Sequence, residues 1–216
     1  MTRISVEIER SDQEQVESLR KWWQDNWLSL VGGLAIGLGG IMGWQYYGQH
    51  QAERAAVASM AYDSLRQQID NGELPAARAT LEELQQDQSG SPYVTQGRLA
   101  VAQALAAQGE WSGAAGELEK ILVESDDDQL KALARLRLAR AYWAQGDAER
   151  ALEQIAGEAP PAFAPLYAEL RGDIATARGN LSLARSAYSS ALASEQNYVD
   201  RGAVERKLGA LPAESP

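Results

Sequence analysis

The chain offers one histidine, no cysteine and 30 carboxylate side chains for chemistry. Without cysteine there is no thiol nucleophile and no thiolate metal site. His50 stands among polar residues and has no Ser-His or Cys-His partnership to enter. Ser125-Asp126-Asp127-Asp128 gathers three acids, but they are adjacent and lack the alternating spacing and later Glu of a calcium loop. The same four residues fit a helix cap opening Gln129–Gln145. Gly37-Leu38-Gly39-Gly40-Ile41-Met42-Gly43 is rich in glycine like a nucleotide loop, but its spacing is wrong and it lies inside an apolar run. The remaining carboxylates fall on helix surfaces and turns, with no spacing that singles out a glycosidase-like pair. The reading is a non-enzyme with no cofactor and no metal.

Function must then come from elements that present surfaces. The first is residues 27–47, Trp27 to Tyr47, within a stretch from Asn26 to Ala52 that has no Asp, Glu, Lys or Arg. About 20 helical residues cross the roughly 30 Å hydrocarbon core of a bilayer. Trp22, Trp23 and Trp27 flank one end, and Trp44, Tyr46 and Tyr47 the other, as rings do at headgroup depth. Ala56-Val57-Ala58 has the small-x-small spacing of a cleavage site, but it lies beyond charged Glu53 and Arg54. The run is therefore read as an uncleaved anchor. Arg3, Arg10, Arg20 and Lys21 precede it, and only Arg54 closely follows. Basic residues favour the cytoplasmic side, so the tail 1–26 is expected inside and the rest outside. Glu7, Glu9, Asp12, Glu14, Glu17 and Asp25 in the tail weaken this bias without reversing it.

Four of the 20 basic and six of the 30 acidic residues precede the run, leaving 16 against 24 after it. Such a balance argues against nucleic acid or anionic lipid as a bulk-charge partner. An exported domain without cysteine must be held by packing alone. Abundant Ala and a single Phe favour close-packed helices over a sheet.

The outer segment repeats itself. Gly72, Gly109, Gly146 and Gly179 are spaced 37, 37 and 33 apart. Each is followed by Glu, Asp or Asn and, five positions on, by Ala77, Ala114, Ala151 or Ala184. Nine positions past each glycine stand Leu81, Leu118, Ile155 and Tyr188; seven before it stand Leu65, Ala102, Ala139 and Gly172. A fixed period in this range marks stacked helical pairs. Glycine ends one helix, an acid or amide opens the next, and the alanine permits close approach. Ser91 with Pro92 reads as a helix start, and Ala159-Pro160-Pro161 as a break.

These features resemble the tetratricopeptide repeat, with units at 59–88, 92–124, 129–158 and 164–194. The expected fold is all-α: an N-terminal transmembrane helix, then a solenoid of about four hairpins. Ala61, Arg98, Arg135 and Ala168 stand where that family has an aromatic anchor, so irregular packing is expected. The expected divisions are 1–26, 27–47, a linker 48–58, the repeat domain 59–197, and a C-terminal helix and tail 198–216. First helices of such pairs line a groove. Repeat positions assign to it Tyr62, Arg66 and Ile69; Gln96, Leu99 and Gln103; Leu133, Leu136, Arg140 and Trp143; and Leu166, Glu169 and Asp173. Mixed aromatic, aliphatic and charged groups suit an extended peptide or a partner helix. Gly33/Gly37 and Gly39/Gly43 have the small-xxx-small spacing of membrane helix packing.

A more specific resemblance rests on Asp12-Gln13-Glu14-Gln15-Val16-Glu17, Trp22-Trp23, Gly43-Trp44, Tyr46-Tyr47 and His50-Gln51. Further on it rests on Ala58-Ser59-Met60-Ala61-Tyr62, Leu130-Lys131-Ala132 and Leu136-Arg137-Leu138-Ala139-Arg140. Leu170-Arg171-Gly172-Asp173 and Ala184-Arg185-Ser186-Ala187 complete it. In this order the blocks are similar to the YfgM family of ancillary SecYEG translocon subunits. The resemblance implies a single-pass bacterial inner-membrane protein with a periplasmic repeat domain. It implies Sec translocon subunits, a membrane-anchored periplasmic chaperone of the prolyl-isomerase type and exported client proteins as partners. It implies no catalytic residue. A repeat scaffold for another envelope assembly complex is the alternative.

Overall fold

A computed structural model describes residues 3–193 and 200–212, with side chains from Val16 onward. The motif residues Asp12–Gln15, the charged tail residues before them, the domain end at 194–197 and the tail 213–216 lie outside the described side chains. The described elements are all helical: α1 (Arg3–Asp70), α2 (Leu74–Asp87), α3 (Pro92–Ala107), α4 (Trp111–Glu124), α5 (Asp128–Ala144), α6 (Ala148–Gln154), α7 (Ala164–Ala177), α8 (Leu181–Leu192) and α9 (Arg201–Gly209). The chain separates into two compact units, 1–55 and 56–216.

The first unit is carried by the N-terminal part of α1. From Val16 its apolar side chains are bare; Trp22, Ile36, Trp44 and Tyr46 are 52%, 79%, 79% and 75% exposed. A run of large apolar side chains with no protein cover suits hydrocarbon as its surroundings. This is the one described helix long and apolar enough to cross a membrane.

The second unit is a stack of hairpins whose turns repeat one another bond for bond. Gly72, Gly109, Gly146 and Gly179 have φ of 79°, 79°, 84° and 74°. In each turn the glycine N–H donates to a carbonyl three residues back (Ile69, Ala106, Trp143, Thr176) at 2.9–3.0 Å. The next N–H donates five residues back (Gln68, Leu105, Tyr142, Ala175) at 2.8–2.9 Å. This is the Schellman closure of a helix C-terminus, and it needs a residue at ease in the left-handed region.

The cap of the second helix, one residue past the glycine, depends on side-chain length. Asp147 accepts from the Arg150 N–H at 3.0 Å and Asn180 from Leu183 at 3.1 Å. Glu73 and Glu110 occupy the same cap without a side-chain bond. Their extra methylene carries the carboxylate past the orphan amides, so they act only through the helix dipole. Asp127, not the serine before it, caps α5, accepting from Gln129 and Leu130 at 2.7 and 3.1 Å. Ser91 caps α3 through Tyr93 at 3.3 Å, with Pro92 in the first helical position.

The small-residue columns set how near paired helices come. Ala77, Ala114, Ala151 and Ala184 are buried to 0–1% exposure. The columns seven before and nine after the glycine are buried in every unit: Leu65 and Leu81, Ala102 and Leu118, Ala139 and Ile155, Gly172 and Tyr188. At the last pair a Cβ on Gly172 would fall 2.4 Å from Tyr188 Cε1, so the ring occupies the space a side chain would need. α7 and α8 accordingly make an extensive contact. Gly97 of α3 does the same for the first hairpin, where an added Cβ would meet Leu81 Cδ1 at 2.9 Å and Leu65 Cδ1 at 3.3 Å.

Gly172→Ala should destabilise the domain by about 1–3 kcal/mol through overpacking against the ring. Tyr188→Leu in the same chain should recover most of it, as read from urea unfolding of both single and double variants. Ala151→Leu should cost a similar amount. Ala148 is half-buried against the core, so exposed Ala79→Leu is the proper comparison and should cost little.

Candidate interaction surface

The positions where the repeat family has an aromatic anchor hold a different device. Arg98 of α3 is 5% exposed and Glu117 of α4 is 6% exposed. The Arg98 guanidinium donates through Nε and Nη2 to Glu124 at 3.1 and 3.0 Å, and through Nη1 to Glu117 at 2.9 Å. Nη2 also donates to Gln85 of α2 at 2.9 Å, and Lys120 donates to Glu117 at 2.8 Å. One buried cation thereby ties α2, α3 and α4, with its acceptors in the bidentate geometry that arginine favours. Arg135, the equivalent residue one unit on, is exposed.

A second polar node joins α4, α5 and α6. The Tyr142 hydroxyl donates to Glu119 and accepts from Arg150 Nη2 at 2.6 Å, and the Arg150 guanidinium lies 4.0 Å from the Tyr142 ring centroid. Burial, reinforced by the Glu119 carboxylate, pushes the Tyr142 hydroxyl up to about 12. A third node closes the stack. Lys207 of α9 donates to Glu169 at 2.7 Å and to Asp173 at 2.8 Å, both on α7. Burial opposes the charge on Lys207, but Asp173 and Glu169 outweigh it and hold the amine above the ordinary lysine value.

The expected groove residues do not share one environment. Leu136 is 3% exposed and part of the core, so it cannot meet a partner; its assignment is corrected. Glu169 and Asp173 are half-buried and bound by Lys207 of α9, and the Tyr188 hydroxyl donates to Asp173 at 2.8 Å. Ile69, Leu99, Trp143 and Leu166 are half-buried and pack on the core, while Arg66 and Gln96 are exposed. Tyr62 is half-buried and stacks on Tyr93 of α3 at 5.7 Å between ring centroids. Gln103 and Arg140 are brought together at an apolar pocket of about 220 Å³ between α3, α4 and α5. Ala102, Ala106, Trp111 and Ala114 line it, with Arg137 beside Arg140 at the rim. Burial, then the neighbouring Arg140, lowers the pKa of Arg137. Repeat positions do not pick out Trp111 and Arg137: Arg137 lies one step off the groove column, and Trp111 stands on α4, a second helix outside the set that defines the groove. On α1, a Cβ at Gly33, Gly37, Gly39 or Gly43 would meet nothing within 4 Å.

Stacked helical hairpins joined by identical turns, with a cleft between α3, α4 and α5, define a helical-repeat scaffold. Known proteins of similar sequence agree. A family profile described as a tetratricopeptide repeat-like domain matches residues 20–213. A Haemophilus influenzae protein named ancillary SecYEG translocon subunit is 30% identical over 183 residues, 83% of this chain and 88% of that one. An Escherichia coli protein of the same name is 30% identical over 193 residues, 88% and 91% of the two chains. A Neisseria gonorrhoeae protein with that name is 26% identical over 205 residues, 93% and 97% of the two. The chain belongs to the YfgM family, the tetratricopeptide repeat-like proteins to which these relatives belong.

Arg98→Met should destabilise the domain by about 3 kcal/mol, since it leaves Glu117 buried with Lys120 alone. Adding Glu117→Met should restore most of the loss in urea melts. Alkaline pH should weaken the fold with a definite sign. An unfolded tyrosine ionises near 10, whereas folded Tyr142 keeps its proton to about 12. Lys207 contributes fully below its ordinary value of 10.5 and loses its contribution as pH rises through its raised value. Unfolding free energy should therefore fall from pH 10 upward, and Tyr142→Phe should flatten part of that slope.

Proposed function

We propose that this chain is a membrane-anchored scaffold that associates with the Sec translocon and assists newly exported proteins. The observation that carries the reading is the name shared by relatives matching 83–93% of the chain, in which an apolar helix and a repeat domain are joined. The bias of Arg and Lys to the N-terminal side of the apolar run supports a cytoplasmic tail and a periplasmic repeat domain. The glycine pairs Gly33/Gly37 and Gly39/Gly43 give a partner membrane helix room to approach. In this reading the repeat domain recruits a membrane-anchored periplasmic chaperone of the prolyl-isomerase type. Two modest contacts from one tethered chain reinforce each other through effective concentration.

Two measurements test this. Protease added to spheroplasts should digest the repeat domain and spare the tail; protection of residues 59–216 would remove the periplasmic assignment. Crosslinking followed by purification from membranes should enrich Sec subunits. Enrichment of a different envelope complex instead would sink the translocon association.

A further inference from the structure

Arg137 and Arg140 enter no ion pair or hydrogen bond among the described residues, although the net charge of the chain is −10. Carboxylates are plentiful nearby in sequence, yet Glu117, Glu119 and Glu124 are taken by Arg98, Lys120, Tyr142 and Arg150. Two like charges one helical turn apart, one of them half-buried, repel each other, and an anion placed between them relieves that repulsion. Directly beside them is the pocket between α3, α4 and α5, floored by alanines and walled by Trp111. Its volume of about 220 Å³ is below the roughly 300–1,000 Å³ of small-molecule sites. It suits one anchoring side chain, the way interface anchors fill small desolvated pockets. The guanidinium fork matches a carboxylate in plane and spacing.

We propose that this pocket is a docking site for a peptide segment that places an aliphatic side chain against Trp111 and the alanine floor and an adjacent carboxylate between Arg137 and Arg140. Gln103, an exposed lining residue, supplies an amide for bonding the peptide backbone. The proposal rests on the reading of the repeat domain as a binding scaffold and is independent of the translocon association.

The test uses the full-length protein in detergent and a fluorescein-labelled nonapeptide with one Leu between two Glu in a Gly/Ser context. Fluorescence anisotropy should show saturable binding. Replacing both Glu by Gln, or the Leu by Ala, should each weaken it at least tenfold. Arg137→Gln with Arg140→Gln should bring the acidic peptide down to the level of its Gln counterpart, whereas Lys at both positions should retain most binding. Ala106→Phe should fill the pocket and abolish binding with helical content unchanged by circular dichroism. Equal binding of the acidic and Gln peptides to the unaltered protein overturns the proposal without recourse to any variant. So does decanoate binding with the same arginine dependence while the peptide fails to bind, which would make this an acyl-carboxylate site. Absent peptide binding with undiminished recovery of Sec subunits overturns the docking site alone; the reverse overturns the association alone.

Discussion

How close two helices of a hairpin can come governs this domain. The turn fixes where the second helix begins, and the residue at the crossing fixes its distance. Ala77, Ala114, Ala151 and Ala184 keep that crossing small in every unit, and burial to 0–1% exposure leaves no slack around them. The limit is reached at Gly172, where the missing side chain is replaced by a tyrosine ring from the next helix. The pocket and the polar nodes between helices take their dimensions from this spacing.

Polar side chains join helices here where aromatic anchors do so elsewhere in the repeat family. From one buried position on α3, Arg98 bonds to two other helices, and Tyr142 and Lys207 hold two further junctions. Directional bonds of this sort specify register, because a shifted helix leaves a buried charge without its acceptor. That constraint offsets the loss of large apolar contacts in a domain built so heavily from alanine.

The periodic parts of the fold were legible in the sequence because they depend on backbone conformation. Only glycine sits easily at φ near 80°, so its spacing announces the turns, and the alanine five residues on follows from the same geometry. Ser91 and the break at Ala159–Pro161 were readable for similar local reasons. The candidate surface was only half legible. Leu136 shares its face with Arg140 in a helical projection, yet it is buried in the core while Arg140 is exposed. Glu169 and Asp173 read as open acids, since nothing local shows that a lysine 34–38 residues on will reach them. Arg98 read as a departure from a pattern, because its partners lie on two other helices.

The helix that carries this lysine has another consequence. A stack of hairpins has an apolar end wherever it stops, and that end is a template for another copy of the same stack. Here Val204, fully buried, fills the face left by Ala168, Ala175, Tyr188 and Ala191, while Arg201, Glu205 and Arg206 turn a charged, exposed side to solvent. α9 therefore covers this terminal face with charge, and a growing array of domains finds no apolar end there to add to.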